Sequence, residues 1–249
     1  MTKVKFLATS TLVIIVFICL QRVFAQDSSE IKQIPAGLSA NDVINNYLEA
    51  IGGRENLSTV KDRTTIMHAK TSGQTLSIVI EQKAPNKLKQ NIRSGKMEQT
   101  ILFDGKKGVM IVGDKKTELD DKKLEKLKLE TAMNFLLDPE AYGVLLELAG
   151  IETIDSRLCY KILLITEEGT KWAQFYEIDS GLKIKEIKEM ETTLGSFQQE
   201  TFYSDYKEVD SLKFPFNIKQ SFGTQTVEMN VSSIKLNDGL DDSIFEIPE

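Results

Sequence analysis

The chain has 249 residues, 41% of them hydrophobic and 27% charged, with 37 acidic against 31 basic side chains. That acidic balance excludes nucleic acid as a partner, because a phosphate backbone must be met by a basic surface. It also disfavours adhesion to anionic membranes, and the length is ample for one buried core.

Lys3 and Lys5 precede an apolar run from Phe6 to Leu20, followed by Val23-Phe24-Ala25 and then by polar Gln26-Asp27-Ser28-Ser29. A basic start, an apolar stretch and a small residue before a polar end predict a secretory signal, residues 1–25, cleaved after Ala25. A retained anchor fits less well, since the run falls short of the ~20 residues a spanning helix needs. Lipid modification at Cys19 also fits less well, because Ile18 stands where a small residue is wanted. Cleavage removes Lys3, Lys5, Arg22 and no acid, leaving nine more acidic than basic side chains. Of the two cysteines only Cys159 survives, so no disulfide forms within the mature chain, whose expected location is the periplasm.

Residues 26–38 are polar, carry Pro35 and Gly37, and read as a flexible arm. From 39 to 249 no linker, repeat or low-complexity stretch intervenes, which predicts a single domain. A helix is expected to start at Ser39 or Asn41, with Val43, Ile44, Tyr47, Leu48 and Ile51 at helical spacing and Gly52-Gly53 as its stop. Arg54 to Val60 adds another turn or two.

From Arg63 the period becomes alternating. Leu76, Ile78 and Ile80 share one strand face, and Leu88 and Ile92 continue the pattern. Asp104-Gly105, Gly113-Asp114 and Asp179-Ser180-Gly181 read as hairpin turns. Asp121 to Leu137 reads as a helical insertion. Asp138-Pro139-Glu140 then predicts a second helix with Tyr142, Leu145, Leu146 and Ala149 as its stripe and Gly150 as its end. Strands are expected to resume at Ile154. Phe214, Phe216, Ile218 and Phe222 point one way, as do Val227, Met229 and Val231. The alternation slips between Ile184 and Ile187, which predicts a bulge near Lys185-Glu186. The fold class is therefore mainly β with helices (α+β): one antiparallel sheet of ten to twelve strands. A sheet that size tends to curl, with the helices covering its concave face.

Catalytic chemistry is scarce. His68 is the only histidine and reads as part of a wet strand face. Cys159 reads as a buried inert thiol. Asp120-Asp121, Glu167-Glu168 and Asp241-Asp242 lack calcium-loop spacing. Phe103 to Gly108 is a hairpin turn without the spacing of a phosphate loop. No enzyme activity, catalytic residue, metal or cofactor is expected. The remaining candidate is the apolar inner face, formed by Leu76, Ile78, Ile80, Phe135, Leu145, Trp172, Phe197, Phe214, Phe216, Phe222 and Met229. Either the helices plug this face, or their cover is incomplete and an acyl chain lies beneath it.

Several motifs occur in a telling order. They are Tyr47-Leu48-Glu49-Ala50-Ile51-Gly52-Gly53, Lys83-Ala84-Pro85-Asn86, Phe103-Asp104-Gly105-Lys106, Asp179-Ser180-Gly181-Leu182, and Tyr206 to Asp210 followed by Phe214-Pro215-Phe216. The last is Asp242-Ser243-Ile244-Phe245-Glu246-Ile247-Pro248. Together they resemble the outer-membrane lipoprotein-sorting proteins of the LolA/LolB-like superfamily, in a form common in Bacteroidetes. The resemblance implies an unclosed antiparallel β-barrel with a helical lid over an apolar cavity. Its carriers are periplasmic, non-enzymatic chaperones that transport lipoprotein acyl chains. The implied partners are a lipid or lipoprotein acyl chain and an inner- or outer-membrane envelope protein, with the chain a monomer. In the carriers an arginine precedes the strand-linking proline and locks the lid; here that position is Ala84, and neither Lys83 nor Lys87 offers a planar fork of donors. The alternative function is an envelope interaction module with a filled barrel.

Overall fold

A computed structural model describes residues 33–248 apart from 72–73, 168, 170, 193–194 and 224. The expected signal, residues 1–25, and residues 26–32 of the arm lie outside the described residues. Helix α1 (Ala40–Ala50) begins where the sequence predicts. Ser39 and Asp42 close a capping box, in which the Asp42 N–H donates to Ser39 Oγ (3.2 Å) and the Ser39 N–H to Asp42 Oδ2 (2.8 Å). Gly52 ends the helix at φ +122°, a conformation disfavoured for side chains. A Cβ there would also meet Ser211 O at 2.3 Å. The short helix α2 (Arg54–Ser58) follows.

The chain then forms β1 (Asp62–Thr71), β2 (Gln74–Lys83), β3 (Lys87–Ser94), β4 (Met97–Phe103), β5 (Gly108–Val112) and β6 (Lys115–Glu118). Helix α3 (Asp121–Thr131) and 3-10 turns at Phe135–Leu137 and Glu140–Tyr142 interrupt it. The second run comprises β7 (Leu145–Ile154), β8 (Arg157–Ile165), β9 (Lys171–Glu177), β10 (Lys183–Thr192), β11 (Gly195–Val209), β12 (Leu212–Phe222) and β13 (Gln225–Leu236). All pairings are antiparallel, in the order β6-β5-β4-β3-β2-β1-β13-β12-β11-β10-β9-β8-β7. The fold class is as expected, mainly β with helices and an unclosed sheet. Among the described residues the strand count is 13 rather than ten to twelve.

Two further expectations are corrected. Residues 138–150 are not a helix: one 3-10 turn stops at Gly143 (φ +67°), and β7 begins at Leu145. The leucines at 145, 146 and 148 suit either period. Pairing of Leu146 and Leu148 with Leu164 and Ile162 of β8 decides for strand, and tertiary context overrides local pattern. The bulge expected at Lys185-Glu186 falls between Lys183 and Lys185, one residue earlier. It keeps both the buried Ile184 and the buried Glu186 off solvent, on opposite faces.

The sheet is strongly curved. Consecutive residues of α3 touch strands far apart in sheet order: Glu130 pairs with Lys188 of β10 (3.5 Å), while the Thr131 hydroxyl donates to Asn86 O, in the β2–β3 turn (2.9 Å). Five strand spacings separate β10 from β2, about 24 Å on a flat sheet. Two neighbouring residues bridge that span only if the sheet folds round them. Residues 119–144 carry the chain from one sheet edge to the other, so they must cross a face, and α3 is part of that crossing.

Candidate functional site

Residues paired across antiparallel strands share a face. Following the register from Trp172 and Gln174 in β9 through Lys188 and Glu186, then Gln199 and Thr201, to Phe222 and Gln220, defines one continuous face. The same face continues through Val227 and Met229 to Ala69, and through Val231 to Met67 and Ile78. This inner face has two unlike halves.

Over β7–β9 it is filled. Ala40, Val43, Ile44 and Leu48 of α1 and Leu129 of α3 pack on Ile162, Leu164, Trp172 and Tyr176 in one buried cluster, with Phe135 against it. Over β1–β3, β12 and β13 lies a second cluster. Met67, Ile78 and Val231 are buried in it, and Leu76, Ile80, Ile92, Phe216, Ile218, Met229 and Ile234 are only partly so. Among the described residues no helical residue belongs to this second cluster. Phe197 and Phe222 extend the apolar face as an edge-to-face ring pair, centroids 6.5 Å apart, both half-buried.

Of the sequence-derived candidates, the fold thus brings Leu76, Ile78, Ile80, Phe216 and Met229 into one patch, with Phe197 and Phe222 on the same face. Phe214 lies under the Arg63 guanidinium, 5.6 Å from its ring centroid. Trp172, 3% exposed, and Phe135 belong instead to the filled half. Leu145 stands apart on edge strand β7, 66% exposed, beside a solvent-open cleft of about 580 Å³ between α1 and residues 136–146. Arg54 spans that cleft, donating to Asn45 Oδ1 (3.1 Å) and to Leu137 O.

Between the two halves sits a polar cluster that strand periodicity did not single out. Glu186, 5% exposed, accepts from Gln174 Nε2 (2.6 Å) and pairs with Lys188 (3.0 Å) and Lys183 (3.2 Å). Burial pushes the Glu186 carboxyl up, but the two ammonium groups and their hydrogen bonds outweigh it and hold the pKa at about 2. Lys188 also lies 4.2 Å over the Trp172 ring, and Lys183 4.6 Å over Tyr203. Tyr47 of α1 stacks obliquely on Tyr176 at 5.1 Å, and Tyr206 donates to Lys183 O (2.6 Å). Burial, reinforced by Glu186 and opposed by Arg63, raises the Tyr47 hydroxyl to about 12. The only sequence cue to the cluster was a charged residue beside a slip in apolar alternation.

The lysines flanking Ala84 do not hold the helical segment. Lys83 and Lys87 both turn to Asp242 (3.0 Å each), and Lys83 also donates to Leu240 O. The tie at this turn comes from the other side: Thr131 Oγ1 bonds Asn86 O, and the Met133 N–H donates to Pro85 O (3.3 Å). His68 is exposed, while Cys159 is fully buried with its thiol pushed up to about 11, chiefly by burial. No group of three metal-ligating side chains converges among the described residues.

No protein-family model matches the chain, and no curated protein matches its sequence. Solved structures do match its fold. A LolA superfamily protein from Nitrosomonas europaea superposes at TM-score 0.58 with 15% identity, over 84% of this chain and 98% of that one. A DUF1329 family protein from Desulfovibrio piger gives 0.55 at 12% identity, over 83% and 95%. A domain assigned to outer membrane lipoprotein sorting, from Vibrio parahaemolyticus, gives 0.54 at 11% identity, over 83% and 97%. At these identities the likeness is one of fold alone, an unclosed antiparallel sheet with helices shared with these three structures.

Proposed function

We propose that this protein is a non-enzymatic periplasmic carrier that binds lipid or lipoprotein acyl chains on the inner sheet face, residues 39–249 forming the carrier domain. The observation that carries the reading is the second apolar cluster: most of its members stay partly exposed, and among the described residues none of its members comes from a helix. Each methylene buried contributes ~0.8 kcal/mol, so a long chain gains on the order of 10 kcal/mol gross before association costs. The fold shared with a lipoprotein-sorting domain supports the same reading, as does the signal-like start of the sequence.

Native mass spectrometry of residues 26–249 tests it. The expected result is co-purifying lipid or uptake of added acyl chains, and a Met229→Glu variant, which places a charge on the half-buried face, should take up at least tenfold less. A clean apo mass with no uptake of a fluorescent fatty acid would overturn the reading. That outcome would favour the envelope interaction module, for which exposed Leu145 and the cleft beside it supply a surface.

A further inference from the structure

Arg63 opens β1 on the inner face, opposite Gln82 of β2 and Leu236 of β13. Its Nη2 donates to Gln82 Oε1, and its guanidinium lies over the Phe214 ring. The residue as a whole is half-buried, but its Nε is sealed from solvent and has no protein hydrogen-bond partner. Among the described residues no carboxylate pairs with it. The other described arginines and the inner-face lysines are differently placed. Arg93 and Arg157 pair with Glu98 and Glu177, Arg54 reaches out to Asn45 and Leu137 O, and Lys183 and Lys188 share Glu186.

A cation taken from water without a counter-ion is costly, and arginine cannot escape by losing its proton. One amide oxygen and one ring face offset part of that cost. The unmet remainder has a defined shape, since the guanidinium fork binds carboxylate or phosphate oxygens in a bidentate way. Its position has a direction too. Arg63, Thr65, Met67 and Ala69 follow one another along the same face, paired with Gln82, Ile80, Ile78 and Leu76. Six residues of strand cover roughly 20 Å, enough for a long hydrocarbon chain running from the charge to the far end of the patch.

We propose that Arg63 is the anchor for the anionic head of a single-chain amphiphile whose tail lies along β1 and β2. The inference rests on the acyl-binding reading but narrows it. A carrier built only for uncharged lipid anchors has no use for a half-buried guanidinium without a counter-ion, whereas a free acid or a monophosphate supplies what Arg63 lacks. Gln82 fixes the fork.

Isothermal titration of residues 26–249 with hexadecanoate, palmitoyl lysophosphatidate and hexadecanol tests this. The wild-type protein should bind at least one of the two anionic probes tenfold or more tighter than hexadecanol, and which of them wins tells carboxylate from phosphate. Arg63→Gln should abolish that preference while changing hexadecanol affinity less than twofold. Thermal unfolding gives a second readout, independent of how well the glutamine variant folds. Arg63→Met should melt at or above the wild type without ligand, because an unpaired charge has left the interior. The anionic probe should then raise the melting temperature of the wild type but not of Arg63→Met. Equal wild-type affinity for charged and neutral chains would overturn the anchor and leave the acyl carrier standing. Failure of all three probes to bind would overturn both.

Discussion

Replacing Glu186 by glutamine removes the charge at the centre of the buried polar cluster while preserving its shape and its bond to Gln174. A carboxyl held at about 2 in the native protein, against an ordinary 4.5, contributes about 3 kcal/mol to stability at neutral pH. Its native pKa is depressed, so that contribution is fully present above pH ~5. It declines as the pH falls through the unfolded-state value and is gone below the native one. The Glu186→Gln variant should therefore be less stable at pH 7 by about 2–4 kcal/mol, since Lys183 loses its carboxylate and Lys188 keeps only Glu130. For a domain of this size that is a fall of roughly 6–12 °C in melting temperature. The second half of the prediction is sharper: between pH 6 and pH 3 the wild type should lose most of its advantage, and the two melting curves should converge. Urea titrations across that range at constant ionic strength measure it. Parallel pH profiles, with the gap unchanged at pH 3, would refute the assignment of Glu186 as a charge-paired buried carboxylate.

Gly52→Ala should destabilise the fold by about 3 kcal/mol or more, because its Cβ would strike Ser211 O at 2.3 Å in a left-handed conformation. Gly223→Ala, at φ +58° with nothing within 4 Å, should cost only about 1 kcal/mol, and chemical denaturation of the pair compares them directly. The thiol of Cys159, 0% exposed and pushed up to about 11, should ignore a thiol reagent in native residues 26–249 and titrate as one equivalent in denaturant. Prompt native labelling would show that the β8–β10 outer face opens.

Much of the architecture was legible in the sequence because its signals are local. Ser39 with Asp42, the Gly52-Gly53 stop, the Asp104-Gly105 turn and the alternation from Leu76 to Ile80 all act within a few residues. What failed was decided at a distance. Leu145 to Leu148 carry no preference of their own between helix and strand, and β8 settles the matter. Trp172 reads as a lining residue from β9 alone and becomes core only because α1 and α3 lie over it. The ion cluster depends on pairing in the same way: Gln174 meets Glu186 only through the β9–β10 register, and Glu130 reaches Lys188 only because α3 crosses the sheet. Arg63 gave a weaker cue still, a lone cation at the foot of a strand, whose missing counter-charge is a property of the folded interior.

The adjacency of β1 and β13 has a consequence of its own. Every other neighbouring pair of strands is consecutive along the chain, so each ribbon can zip from its own tight turn at little entropic cost, whereas this one junction must bring together segments more than 150 residues apart. Assembly thus reduces to two independent meanders and a single late weld, and that weld runs beside Arg63, Met67 and Met229. Whatever amphiphile settles across it would clasp both wings at once, coupling cargo occupancy to the integrity of the whole molecule.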